Sequence, residues 1–144
     1  MNIDELKNII LPYIEEPIVN FEIKRQIFIE INGRKIYNQI IRDRVDKRFG
    51  IYVWVDKTKS EVVYIGMAGK IKTNGSIGSH SVQQRLLASR DIDKVSEKDI
   101  QTIDSLEFFI MYSKKDEPPA YLEALLLYKY YKKNKKLPKL NNSF

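Results

Sequence analysis

Tyr52 and Tyr64 each stand in a short β-branched and aromatic run that contains glycine, Gly50-Ile51-Tyr52 and Tyr64-Ile65-Gly66. Between the runs, Asp56-Lys57-Thr58-Lys59-Ser60 has the composition of a turn. The runs are therefore expected to pair as a hairpin that carries the phenols on neighbouring strands. A phenol has an ordinary pKa of about 10; it can orient water, or take its proton where positive charge favours the phenolate. A lone strand tyrosine is more simply a core residue, and only the spaced pair with its glycines suggests chemistry. Further along, Arg85 falls on a helix opened by Ser81-Val82-Gln83-Gln84, a capping-box pattern. Helical spacing sets it with Val82, Leu86 and Ser89, beside the apolar stripe. A planar, permanently charged guanidinium suits a phosphate oxygen, although a surface arginine would read the same way. Glu123 interrupts the apolar run from Ala120 to Leu127 and lies on the side of Leu127 and Tyr130. A carboxylate there needs a partner, because burying an unpaired charge is costly. A glutamate favoured by the helix dipole is the simpler alternative.

From Phe49 to the C-terminus, these residues together resemble the GIY-YIG nuclease superfamily. The resemblance implies a metal-dependent endonuclease that hydrolyses phosphodiester bonds in DNA, double-stranded by expectation. It implies catalytic roles for Tyr52, Tyr64, Arg85 and Glu123, with Tyr52 as the candidate base toward the attacking water, Tyr64 positioning water or phosphate, and Glu123 holding one Mg2+ or Mn2+ ion. Asn141, shortly after Pro138, matches the asparagine that commonly closes the family core, and Gly66 and Lys70 are further candidates for contact with substrate. The chain departs from the family at two places. Where many members carry histidine one turn beyond the arginine, this chain has Ser89; its only histidine, His80, lies in the loop before the helix, and both are accessory candidates. That loop, residues 70–80, is also long, and Lys70 and Lys72 could meet a phosphate backbone there. The alternative is a nucleic-acid-binding module that keeps the fold without turnover.

The elements that must position these groups can be read from pattern. The order expected from Phe49 is β-β-α-(α)-β-α, an α+β fold with a small antiparallel sheet flanked by helices. Its parts are strands over 49–55 and 61–66, the helix from Ser81, a short helix capped by Ser96, a strand over 106–112, and a long helix from Pro118-Pro119 to about Lys135. Residues 1–48 read as a separate extension: a helix over 3–16 closed by Pro17, then a hairpin. Phe21, Ile23, Ile27, Ile29 and Ile31 largely alternate, Asn32-Gly33 is a two-residue turn signal, and Arg34 to Ile40 would return, with 41–48 as a connector. Lys24, Arg25, Arg34 and Lys35 could set that hairpin in a groove or on the partner of a homodimer; alternatively it extends the sheet or shields an edge.

Composition narrows the class. Of 144 residues, 43% are apolar and 31% charged, which is usual for one globular domain with a real core. No run approaches the length of a membrane span, and no signal peptide opens the chain. The absence of cysteine excludes disulfides and suits a cytoplasmic protein, and with a single histidine any metal is expected to be hard and oxygen-ligated. The net charge of +6 is compatible with a polyanionic partner. From Ser105 onward eight lysines face four acids, either as a phosphate-binding patch or as a solvated helix end.

Overall fold

A computed structural model describes residues 1–78, 80–88 and 103–141. Its elements are α1 (Ile3–Ile10), β1 (Val19–Lys24), α2 (Arg25–Ile29), α3 (Gly33–Arg44), β2 (Gly50–Asp56), β3 (Glu61–Ala68), the short pair β4 (Lys70–Ile71) and β5 (Ile77–Gly78), α4 (Val82–Leu87), β6 (Ser105–Tyr112) and α5 (Pro119–Asn134). Four strands form an antiparallel sheet in the order β1-β6-β2-β3. With helices on both faces, the fold is the expected α+β arrangement around a small antiparallel sheet.

Alternation along the strands divides the core in two. Tyr52, Trp54, Tyr64, Phe108 and Ile110 join Tyr37 and Ile41 of α3 and Val82 and Leu86 of α4 on one face. Ile51, Val53, Ile65, Phe109 and Met111 meet Leu6 and Ile10 of α1 and Leu122, Leu126 and Leu127 of α5 on the other. The layer of α1 and α5 is tied together by polar contacts. Asn2 and Glu5 cap α1 reciprocally, Lys133 of α5 pairs with Glu5, and the terminal ammonium donates to Asn134 Oδ1 at 2.8 Å.

The N-terminal region departs from the hairpin expectation. Alternation holds only through β1, which pairs with β6 and so extends the sheet. From Arg25 the chain turns helical, and the region expected to return as a strand is α3. Tyr37, Ile41 and Val45 are buried at four-residue spacing, a helical period, and their packing on the sheet outweighs the β preference of the local isoleucines. Gly33 serves this helix pair rather than a hairpin turn: a Cβ there would sit 1.7 Å from the carbonyl oxygen of Ile27. The supposed connector 41–48 begins as the last turn of α3. The first helix also stops early, at Ile10; Leu11–Tyr13 form one 3-10 turn containing Pro12, and Ile14 bridges to Ser113. The short helix expected at Ser96 falls outside the described residues. Among those described, no helix is long and apolar enough to cross a membrane.

At β1, Glu22 accepts from Lys57 Nζ at 2.6 Å and from Ser105 Oγ at 2.6 Å. Lys57 first, and then Ser105, hold its carboxyl below the ordinary range. What this tie contributes is present at neutral pH and fades as acid titrates the carboxylate.

Gly33→Ala tests the α2–α3 contact. Alanine is the better helix former, which alone would stabilise by up to about 1 kcal/mol. The collision with Ile27 backbone reverses the sign, and a net loss of about 1–3 kcal/mol is expected in urea unfolding; an unchanged or raised midpoint would contradict the packing described.

Candidate active site at the edge strand

Antiparallel pairing sets Tyr52 opposite Gly66 and Trp54 opposite Tyr64. Both phenols thus lie on the face covered by α3 and α4, in an aromatic cluster. Ring centroids are 6.0 Å apart for Tyr52–Tyr64, 4.7 Å for Trp54–Tyr64 and 5.2 Å for Trp54–Phe108. These are ordinary separations for tilted or offset aromatic pairs, worth about 0.5–1.5 kcal/mol each beyond area burial. Tyr52 has no exposed surface, and its ring occupies the space a side chain at position 66 would need: a Cβ there would lie 2.5 Å from its ring carbons. Gly66 therefore sits inside the strand as a seat for Tyr52. The positive φ, of +109°, comes at Gly69, where β3 ends and the chain turns into the next pair.

Beyond that turn is a cleft of about 310 Å3 whose wall includes Tyr64, Gly69, Lys70, His80, Arg85 and Glu123. It forms at the outer edge of the sheet, because β3 is an edge strand and the helices on the two faces flank it there. Arg85 comes from α4 on one side and Glu123 from α5 on the other, both partly buried. Lys70 and His80 are exposed at the rim. A phenol, a guanidinium, an ammonium, an imidazole and a carboxylate are thus drawn into one hollow from separated segments.

Arg85 stands on a helix of only six residues, too short to hold itself. Its N-terminus has the capping box read from the sequence, with Gln84 N donating to Ser81 Oγ at 3.2 Å and Ser81 N to Gln84 Oε1 at 2.9 Å. Besides its packing on β2 and β3, it takes further hydrogen bonds from segments before residue 49. Tyr37 Oη donates to Leu86 O at 2.8 Å, Gln83 Nε2 to Val45 O at 2.8 Å, and Val82 N to Arg48 O at 2.8 Å. Arg34 also donates to Leu87 O. Sequence reasoning gave Tyr37 and Gln83 no role; the four-residue spacing of Tyr37, Ile41 and Val45 was the one signal that could have found the helix behind them.

Glu123 lies in the second turn of α5, on the side of buried Leu122, Leu126, Leu127 and Tyr130. The wheel reading therefore holds at the level of the backbone, and the Pro118-Pro119 start is as expected. Gly66 and Asn141 are not among the described residues of the cleft wall. Asn141 acts as a one-residue strand: Ile65 N donates to its Oδ1 at 2.9 Å, and its Nδ2 donates to Ile65 O at 2.9 Å. Leu140 N adds a bond to Val63 O at 2.8 Å. Together they close the open edge of β3, which would otherwise present unpaired groups. Ser89 lies outside the described residues.

The donor set bears on a metal. Glu123 is the only carboxylate among the described residues of the wall, and no group of three His, Cys, Asp or Glu forms elsewhere among them. A closed zinc-type cage does not fit such a site. A hard ion that keeps several waters and shares one carboxylate with phosphate oxygens does fit, as Mg2+ or Mn2+ would.

Comparison of the chain with family models, with curated proteins and with solved structures finds no match.

Two substitutions test the framework. Gly66→Ala should displace the Tyr52 ring, altering the near-UV circular dichroism of the Tyr52–Trp54–Tyr64 cluster and costing about 1–3 kcal/mol. A near-UV spectrum identical to the parent's would argue against the seat. Tyr37→Phe leaves the Leu86 carbonyl without its donor and should cost about 1–2 kcal/mol in chemical unfolding; no loss would remove Tyr37 as an anchor of α4.

Proposed function

We propose that the chain is a metal-dependent endonuclease of GIY-YIG type that hydrolyses phosphodiester bonds in DNA. The observation that carries this reading is the shared cleft of Tyr64, Arg85, Lys70 and Glu123, groups far apart along the chain. Hydrolysis needs an activated water, neutralisation of charge on the phosphoryl oxygens, and help for the departing oxygen.

The residues divide these tasks by chemistry and exposure. Arg85 donates to the non-bridging phosphoryl oxygens, whose charge grows as water adds. Tyr64 borders the cleft, whereas Tyr52, the base expected from the sequence, is enclosed, so Tyr64 is the better phenol to face the attacking water. As the water oxygen bonds to phosphorus, Tyr64 accepts its hydrogen bond and, as phenolate, its proton. Arg85 and Lys70 supply the positive charge that favours the phenolate. Tyr52 fixes the Tyr64 ring from behind. Lys70 and His80, exposed at the rim, would meet the nucleic-acid strand beside the scissile phosphate. Glu123 is the residue that would hold Mg2+ or Mn2+, which when bound neutralises phosphate charge and eases departure of the leaving oxygen. The absence of cysteine is in keeping with a cytoplasmic setting.

The test is conversion of supercoiled plasmid to nicked and linear forms in Mg2+. Glu123→Gln should abolish cutting with the far-UV spectrum unchanged. Arg85→Ala should lower the rate by about 10^2–10^3-fold, and Tyr64→Phe by about 10^2–10^4-fold. Undiminished cutting by Glu123→Gln, or in EDTA, would contradict the assignment. Retarded but uncut plasmid with every divalent ion would instead identify a binding module.

A further inference from the structure

A second, larger hollow of about 600 Å3 lies between the β4–β5 hairpin and the β6–α5 loop. Its wall carries Arg48, Lys114 and Lys115 with Ser76 and Ser113, and two acids, Glu15 and Asp116. Arg48 is held in place: its Nη2 donates to Glu15 Oε2 at 2.9 Å, its Nη1 lies 3.8 Å from Asp46, and its guanidinium stands 4.2 Å above the Tyr112 ring. Glu15 thereby has a cation of its own. Lys114 and Lys115 are exposed, and neither makes an ion pair among the described residues.

The hollow backs directly onto the cleft. Gly69 lines the cleft, while Phe49 and Ile77 line the hollow. A Cβ on Gly69 would be 3.0 Å from the Phe49 side chain and 3.1 Å from Ile77 Cγ2, so the partition is a single layer of residues. The β4–β5 hairpin rides on this partition and faces both sides, with Lys70 on the cleft and Ser76 and Ile77 on the hollow. Lys72 is tied into the same ridge, its backbone N donating to Ser76 O at 2.8 Å and its stem packed over Gly78. The cations Arg85, Lys70, Lys72, Arg48, Lys114 and Lys115 therefore occur on the cleft, the ridge and the hollow in turn.

Resting on the proposed nucleic-acid function, we infer that the hollow is a second backbone-binding subsite, which holds phosphates of the same strand beyond the scissile one. A polynucleotide continues past the phosphate being cut, and the small cleft cannot contain the neighbouring nucleotides as well. Over the ridge the strand meets the exposed ammonium groups of Lys114 and Lys115, with Arg48 paired to Glu15 behind them and Asp116 as the remaining acid of the wall. Contacts of this type fix register and orientation without reading sequence. They also make affinity depend on salt, because each neutralised phosphate releases counterions.

The experiment measures binding of a fluorescein-labelled random-sequence duplex to the intact chain in EDTA, by anisotropy over a range of salt concentrations. Lys114→Gln with Lys115→Gln should weaken binding and flatten the slope of log affinity against log salt by about 2. Arg42→Gln with Lys59→Gln, an equal charge change at exposed positions on α3 and in the β2–β3 turn, should leave the slope unaltered. An unchanged slope in the first pair, an equal loss in both pairs, or no binding by the parent chain would overturn the subsite. Plasmid cutting in Mg2+ is scored separately. Cutting with an unchanged slope removes the subsite and keeps the nuclease, while a flattened slope without cutting removes the nuclease and keeps the subsite.

Discussion

The register of β2 against β3 governs everything built at this edge of the sheet. With Tyr52 facing Gly66, one ring lies in the space left by a missing side chain, and Trp54 and Tyr64 pack beside it at a tilt. A slip of β3 by one residue would turn Tyr64 to the face of α1 and α5 and bring Ile65 or Met67 opposite Tyr52. The glycine and the tyrosine opposite it thus form one steric unit.

That unit is stiffened from two directions. On its outer side, the Asn141 amide and Leu140 pair with the backbone of β3, giving an edge strand the partners it lacks. On its inner side, α3 braces the short helix that carries Arg85 through Tyr37, Arg34 and the carbonyl of Val45. The first 48 residues supply both the strand β1 and this brace. A guanidinium can act on a phosphate only if it is held to a fraction of an ångström. A six-residue helix achieves that only by borrowing rigidity from its neighbours.

The elements β2, β3, α4, β6 and α5 were legible because local and tertiary signals agree there, whereas the β4–β5 pair inside the expected loop 70–80 was not. The β-branched runs, the Ser81–Gln84 box and the Pro118-Pro119 start each specify an element that the packing also wants. Glu123 was legible for another reason, since a charge on an otherwise apolar helix side marks an unusual environment. Residues 25–44 were misread because local signals compete. Isoleucines favour strands and Asn32-Gly33 favours a hairpin, yet Tyr37, Ile41 and Val45 gain more by burying one helical face on the sheet. The seat at Gly66 and the Asn141 clamp were not legible at all. Each depends on which residue stands across a ladder, and no short window of sequence contains that information.

The central claim is that Tyr64, Arg85 and Glu123 share a hollow suited to a phosphate and one hard ion. The most direct measurement is a Mn2+ titration of the isotopically labelled protein followed by NMR, with paramagnetic broadening read residue by residue. Broadening centred on Glu123 and spreading to Tyr64, Gly69 and Arg85 is the result expected. Broadening centred on another acidic surface, such as that of Glu5 or Glu22, with the resonances of the cleft left sharp, would contradict it.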